Sequence, residues 1–267
     1  MTTKTKSKTD LNGSKDVHAT LRPERQRRIL VAGSWNGSGK STITATLLYP
    51  RIPACTIYSV DSGDSDASMY GVPVKRFSAY ELEDLHQALL LNLDQAIVDV
   101  STSSALPFLA YAVSANLLTK FDYFVIVVDP SFKGQAEALS TFQTLVHHGC
   151  HADRIRFILN RVAAERPVDL QFIHLFAYAH DNPRLSLLCQ IPTFASFDEC
   201  LNNYVRWQDA VSDNTDYDAA VREYVANGSG EKANTFARRA ILVGQAKRTA
   251  SWLDWAFQEL NLEMGTV

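Results

Sequence analysis

The sequence lacks any apolar run near the ~20 residues that a membrane-spanning helix needs; stretches such as Ala96–Val98 and Phe124–Val128 have the length of strands. Behind the Lys, Thr and Ser alternation of Met1–Ser7 there is no apolar segment of the kind a secretory signal requires, so export is not expected. Cysteine is scarce. The four residues Cys55, Cys150, Cys189 and Cys200 form no Cys-x-x-Cys pair and have no histidine at zinc-finger spacing. A disulfide frame and a zinc module are therefore not expected, and the thiols read as buried side chains of a cytoplasmic protein. No internal repeat is visible, which argues against a solenoid. Hydrophobic residues, in contrast, make up 46% of the 267, against 21% charged. That is too apolar for a mostly disordered chain and ample for a sizeable core, in one large domain or two small ones.

The net charge of −3 hides an asymmetry. Residues 1–28 hold eight basic side chains against three acidic ones, a net +5, which leaves −8 on the remaining 239 residues. With only Leu11, Val17 and Leu21 as sizeable aliphatics, this segment cannot bury enough surface to offset the cost of ordering and is expected to be a disordered basic tail. Such an arm could touch DNA phosphates nonspecifically or serve only as a solubilising extension. The acidic body is not expected to bind DNA directly.

After Arg28 the pattern changes. Ile29–Ala32 is a short continuous apolar run, as expected of a strand buried on both faces, and similar runs recur at 55–60, 96–100, 123–128, 155–159 and 185–189. Helix-length segments separate most of them. Ser78-Ala79-Tyr80-Glu81 is a capping box opening a helix with Leu82, Leu85 and Leu89 on one side, and residues 133–148 repeat Ala136, Leu139, Phe142 and Val146 at helical spacing. The alternation predicts an α/β fold: a mainly parallel, twisted sheet with helices on both faces. From about Phe197 the reading turns helical over 198–210, 216–225 and 233–260, broken by Asn227-Gly228-Ser229-Gly230. The expected organisation is a basic tail over 1–28, a core over 29–201 and a helical part packed on it over 202–267.

The most informative segment is Gly33-Ser34-Trp35-Asn36-Gly37-Ser38-Gly39-Lys40-Ser41-Thr42, set between a predicted strand and a predicted helix. In that context glycines let backbone N–H groups converge on phosphate oxygens, and the helix start adds positive potential. Lys40 is placed to reach β- and γ-phosphates and the Ser41 hydroxyl to ligate Mg²⁺. Asn36, Gly37, Ser38, Gly39, Lys40, Ser41 and Thr42 are the expected nucleotide-binding residues.

A parallel α/β sheet holds ligands beyond the carboxyl ends of its strands. Ala96-Ile97-Val98-Asp99 ends an apolar run in a carboxylate, so Asp99 is a candidate to hold Mg²⁺ directly or through water, or else a strand-end turn residue. Asp61 ends the 55–60 run and is a second catalytic and metal candidate, with the same turn alternative. Farther along, Asp64 and Asp66 read slightly better as solvated loop charges than as functional carboxylates. Asn160 closes the 155–159 run, and its amide could read an adenine edge or simply end a turn.

Residues 29 to about 201 resemble the ParA/MinD-type P-loop ATPases, and within them the chain is most similar to the StbB-type plasmid stability and conjugal-transfer proteins. The likeness rests on the Gly-x-Gly-Lys-Ser-Thr loop, Leu47–Pro53, Val98-Asp99-Val100-Ser101, Phe121-Asp122-Tyr123-Phe124, Lys133 and Phe157–Asn160. Gly37, Gly39, Lys40 and Ser41 match the family's deviant loop. Asn36 stands at its first glycine and Trp35 at the signature lysine, which in the family reaches across a nucleotide-sandwich dimer. Gly63 stands where the family carries a second Asp that positions the attacking water, so the resemblance implies that Asp64 or Asp66 substitutes for it or that hydrolysis is slow. The resemblance implies a cytoplasmic ATPase using ATP and Mg²⁺, cycling as an ATP-dependent homodimer, stimulated by a DNA-bound adaptor, and serving plasmid partition, stability or conjugation. Lys40, Asp61 and Asp99 would carry catalysis; Ser41, Asp99 and Asp61 would hold the metal; Asn160 would meet the base.

Two other readings stay open at this stage. One is a small-molecule kinase or amide-forming ligase on the same scaffold, for which Lys75 and Arg76 are the nearest basic candidates. The other is a nucleotide-gated membrane binder, whose last helix pairs Arg238, Arg239, Lys247 and Arg248 with Leu242, Ala246, Leu253, Phe257, Leu260, Trp252 and Trp255. Packing of that helix on the core is the commoner outcome.

Overall fold

A computed structural model describes residues 28–32, 37–61, 63 and 66–262. The basic tail before Arg28, the loop residues 33–36 (Trp35 and Asn36 among them) and Asp64 lie outside the described residues.

Seven strands form one all-parallel sheet: β1 Arg28–Ala32, β2 Cys55–Val60, β3 Val74–Phe77, β4 Gln95–Val100, β5 Tyr123–Val128, β6 Ile155–Val162 and β7 Cys189–Pro192, in the spatial order β3-β2-β4-β1-β5-β6-β7. The expected α/β class is what the chain adopts. Side chains alternate across the pleat, so each strand feeds two cores. Ile29, Val31, Ile57, Ile97, Val125 and Ile158 face one layer, while Leu30, Tyr58, Val98, Phe124, Ile126 and Phe157 face the other. At about 25 cal/mol per Å², burial on both faces is what makes these continuous apolar runs favourable.

The second layer is covered by α2 Leu82–Leu91, α3 Ala105–Ser114, α4 Phe132–His147 and, after the short α5 Val168–Gln171, by α6 Ile173–Asp181. The first is covered by the helix that follows β1 and by α7 Ala195–Asn202, α8 Trp207–Ser212 and the 30-residue α10 Gly230–Glu259, against which α9 Tyr217–Ala226 packs.

Three expectations need correction. β3 went unpredicted, because it is a four-residue edge strand of sequence Val-Lys-Arg-Phe with no apolar run. The last strand lies at 189–192 rather than 185–189; Leu185 and Leu187 are buried but precede the ladder. On α4 the buried positions are Ala138, Phe142 and Leu145, with Ala136 and Val146 exposed, so its inner face is rotated from the predicted one. At α2, Glu81 does accept from the Ser78 N–H at 2.8 Å, the return half of a capping box.

α10 spends its apolar residues on the core: Leu242, Val243, Ala246, Leu253 and Ala256 are buried, and Leu260 follows them. Arg51, on the 3₁₀ turn Tyr49–Arg51, donates to the Thr46, Leu47 and Ala250 carbonyls and pairs with Asp254, tying the helix after β1 to α10. Trp252 and Trp255 remain partly exposed and stack edge-on, with Trp252 also meeting Phe194. Among the described residues no helix is long and apolar enough to cross a membrane.

Candidate nucleotide site

The chain leaves β1 through the glycine-rich loop and enters α1 Lys40–Ile43, which continues as a π-helical turn Thr44–Leu48. Gly37 and Gly39 have φ of 80° and 94°, a region that side chains with a Cβ rarely enter. Gly39 has a second reason to be glycine: a Cβ there would sit 2.5 Å from the Asn160 amide nitrogen. That nitrogen donates to the Ser38 carbonyl at 2.7 Å, so β6 clamps the loop from the side. Asn160 is 7% exposed.

In register, Val31 of β1 lies beside Asp99 of β4, which also neighbours Ser59 of β2. The sheet thus brings the loop, the end of β4 and the end of β2 to one place. A cavity of about 650 Å³ opens there, lined by Gly37, Gly39, Lys40, Ser41, Thr42, Asp61, Gly63, Asp66, Met69, Tyr70 and Ser101–Ser103. A smaller cavity of about 80 Å³ adjoins it, walled by Asn160, Arg161, Pro192, Phe194, Phe197 and Asp198 and sharing Gly39, Thr42 and Tyr70 with the first.

Lys40 is 7% exposed and its ammonium donates to the Thr102 hydroxyl at 3.2 Å. Burial pulls its pKa down, while the charges of Asp99 and Asp61 oppose the drop. Asp99 is 2% exposed and lies below the cavity wall, near Ser41 and Lys40. Burial pushes its pKa up to about 6 against the pull of the Ser41 hydroxyl and the Lys40 charge. Neither of its carboxylate oxygens makes a hydrogen bond of normal geometry. An ionised carboxylate buried without donors is costly, and a hydrated divalent cation is the species that would relieve it. The donor set fits Mg²⁺, which takes one or two carboxylates and completes its shell with water and phosphate oxygens. Among the described residues no cluster of three or more His, Cys, Asp or Glu offers an all-protein metal cage.

The structure brings Gly37, Gly39, Lys40, Ser41, Thr42 and Asp61 to the cavity, with Asp99 beneath and Asn160 at its side. Ser38 is buried behind the loop with its hydroxyl unpartnered. The solvated reading of Asp66 is wrong: this residue is 1% exposed, caps the 3₁₀ turn Ala67–Tyr70 by accepting from the Ser68 N–H, and pairs with Arg76 of β3. Arg76 is thereby committed to Asp66, and Lys75 sits over the Tyr58 ring at 5.6 Å, so these two form no open acceptor pocket. Thr102 and Tyr70 were missed. A hydroxyl-rich Ser101-Thr102-Ser103-Ser104 run just past Asp99 was the signal for the first; nothing local marks the second.

No protein-family model matches the sequence. No curated protein matches it either. Solved structures do match in shape. The MinD cell division protein of Aquifex aeolicus superposes with a TM-score of 0.50 at 14% identity, covering 83% of this chain and 95% of that one. The septum site-determining protein MinD complexed with Mg-ADP, from Pyrococcus horikoshii OT3, gives 0.50 at 16% identity, covering 85% and 98%. At such identities the likeness is one of fold alone: the sheet and its helices are arranged as in these two structures.

Proposed function

We propose that this chain is an ATP-binding and slowly ATP-hydrolysing switch of the ParA/MinD kind. The observation that carries the reading is the pairing of a buried lysine on a glycine-rich loop with a buried carboxylate, at the end of the neighbouring strand, whose oxygens make no hydrogen bond of normal geometry. A buried positive group lining a cavity, with an incompletely satisfied carboxylate just beneath it, suits a polyanion carrying its own cation. The MinD structure from Pyrococcus horikoshii was solved with Mg-ADP, in keeping with that ligand class.

In this reading the loop amides of Gly37–Thr42 cradle the phosphates and Lys40 reaches the β- and γ-phosphates. Ser41, with Asp99 and Asp61, holds Mg²⁺, which supplies charge neutralisation for in-line attack of water on the γ-phosphate. The Asn160 amide oxygen faces the base. Asp66, whose oxygens accept from the Ser68 N–H and from Arg76, is assigned here to the 67–70 turn rather than to the attacking water. Trp35 stands where related proteins keep a lysine, so any ATP-dependent homodimer forms without that contact. Plasmid partition, stability or conjugative transfer through a DNA-bound adaptor is the process this resemblance favours, with residues 1–28 as the segment for nonspecific DNA contact.

Calorimetry with Mg²⁺ and a non-hydrolysable ATP analogue tests the core of the proposal. Lys40→Ala should weaken binding by at least about 30-fold, the scale of removing one member of a buried charge cluster. Binding by Lys40→Ala as tight as the wild type's would refute the assignment.

A further inference from the structure

Tyr70 lies on no strand or long helix, yet its phenol is 5% exposed and its oxygen lies 2.9 Å from the Thr42 hydroxyl, two residues past Lys40. The turn that carries it is fixed from both sides. Asp66 at its start is held by Arg76 and by the Ser68 N–H. Gly71 at its end has φ of 83°, and a Cβ there would meet the Arg206 side chain at 2.5–2.8 Å. Such anchoring places the ring as a wall between the two cavities, both of which Tyr70 lines together with Gly39 and Thr42.

The chemistry of the contact sets its direction. A phenol is a stronger acid than an alkyl alcohol, so its O–H is the better donor of the pair. When Tyr70 donates to the Thr42 oxygen, the Thr42 proton is turned away from the ring and offered to whatever occupies the larger cavity. The hydrogen bond that the Thr42 hydroxyl makes is to Tyr70, not back to the Ser38 carbonyl four residues earlier, which accepts from Asn160.

We infer that Tyr70 is a positioning residue for the nucleotide: it orients the Thr42 hydroxyl as a donor to a phosphate oxygen and divides the phosphate chamber from its neighbour. The inference rests on the ATP-binding reading above and adds a residue that the glycine-loop motif does not contain.

A double-mutant cycle tests it, read by calorimetry with the Mg²⁺-bound non-hydrolysable ATP analogue and again with inorganic triphosphate. Tyr70→Phe keeps the ring, and cooperative thermal melting checks that the turn still folds. Tyr70→Phe and Thr42→Val should each weaken both ligands roughly three- to ten-fold, the scale of one hydrogen bond. The double variant should be no weaker than the poorer single one, because the two act as a unit. Equal binding by Tyr70→Phe and wild type, penalties that simply multiply, or a loss seen with the ATP analogue but not with triphosphate would each overturn the assignment. If the wild type bound no nucleotide, the function itself would fall and take this inference with it. If the wild type binds and Lys40→Ala does not, an indifferent Tyr70→Phe removes the inference alone.

Discussion

Asp66 and Asp99 are equally deep, at 1% and 2% exposure, at the same end of the sheet, and the protein treats them oppositely. Asp66 is closed: Arg76 and the Ser68 N–H satisfy it. Burial would raise its pKa, but these partners outweigh that and hold the carboxyl below its ordinary value. Asp99 is open: Ser41 and Lys40 lie near it, but neither oxygen makes a hydrogen bond of normal geometry, and burial raises its pKa to about 6. Burial alone therefore does not mark a functional carboxylate. The presence or absence of well-formed hydrogen bonds does, because an incompletely satisfied buried charge persists only where something else accounts for it.

The comparison breaks most visibly at Asp66. Asp66→Ala strips the cap from the 67–70 turn and leaves Arg76 without its partner. Arg76 is itself half exposed, so the loss is well short of a fully buried ion pair. We expect about 1–3 kcal/mol of destabilisation, read as a lowered urea midpoint at unchanged slope. An unchanged midpoint would show the ion pair to be decorative.

The pH dependence of stability should separate the pair next. The folded pKa of Asp99 is raised, so the nucleotide-free fold takes up a proton before the unfolded chain does. The stability this contributes is fully present below about pH 4 and is lost as pH rises through about 6. Asp66 has the opposite sign: its contribution is present above the ordinary carboxylate value near 4 and lost as pH falls through its lower folded value. Chemical denaturation from pH 4 to 7 should accordingly show a falling component that Asp99→Asn removes and Asp66→Ala does not. The same slope in all three proteins would contradict the assignment.

The smallest effect belongs to Asp99→Asn at neutral pH without nucleotide. Replacing an unrelieved charge by a neutral amide of similar shape should leave the fold within about 1 kcal/mol of the wild type, or slightly more stable. A large destabilisation would mean that Asp99 has a structural partner.

The sequence disclosed these two carboxylates unequally, for a physical reason. Asp99 ends the apolar run of β4, and β1, β2, β5 and β6 were legible in the same way, because a strand buried on both faces must be apolar throughout. The glycine loop was legible because Gly37 and Gly39 occupy φ values that demand glycine. Asp66 looked like a loop charge because its partner, Arg76, lies on β3, an edge strand too short and too polar to announce itself. Tyr70 is invisible for a related reason: it is defined by a contact across 28 residues that no local spacing encodes, whereas Thr102, which meets Lys40 across 62, has only the hydroxyl-rich run past Asp99 to mark it. The α4 face was misjudged because its inner stripe includes Gly134 and Gln135, the latter buried and donating to the Pro130 and Gln171 carbonyls.

The central claim is that Asp99 is left without a hydrogen bond of normal geometry so that a nucleotide-borne cation can satisfy it. Calorimetric titration of the ATP analogue into wild type and Asp99→Asn, each with Mg²⁺ and with chelator, tests this directly. The wild type should bind far more tightly with the ion than without it, and Asp99→Asn should lose that difference while still binding. An undiminished Mg²⁺ dependence in Asp99→Asn would contradict the account.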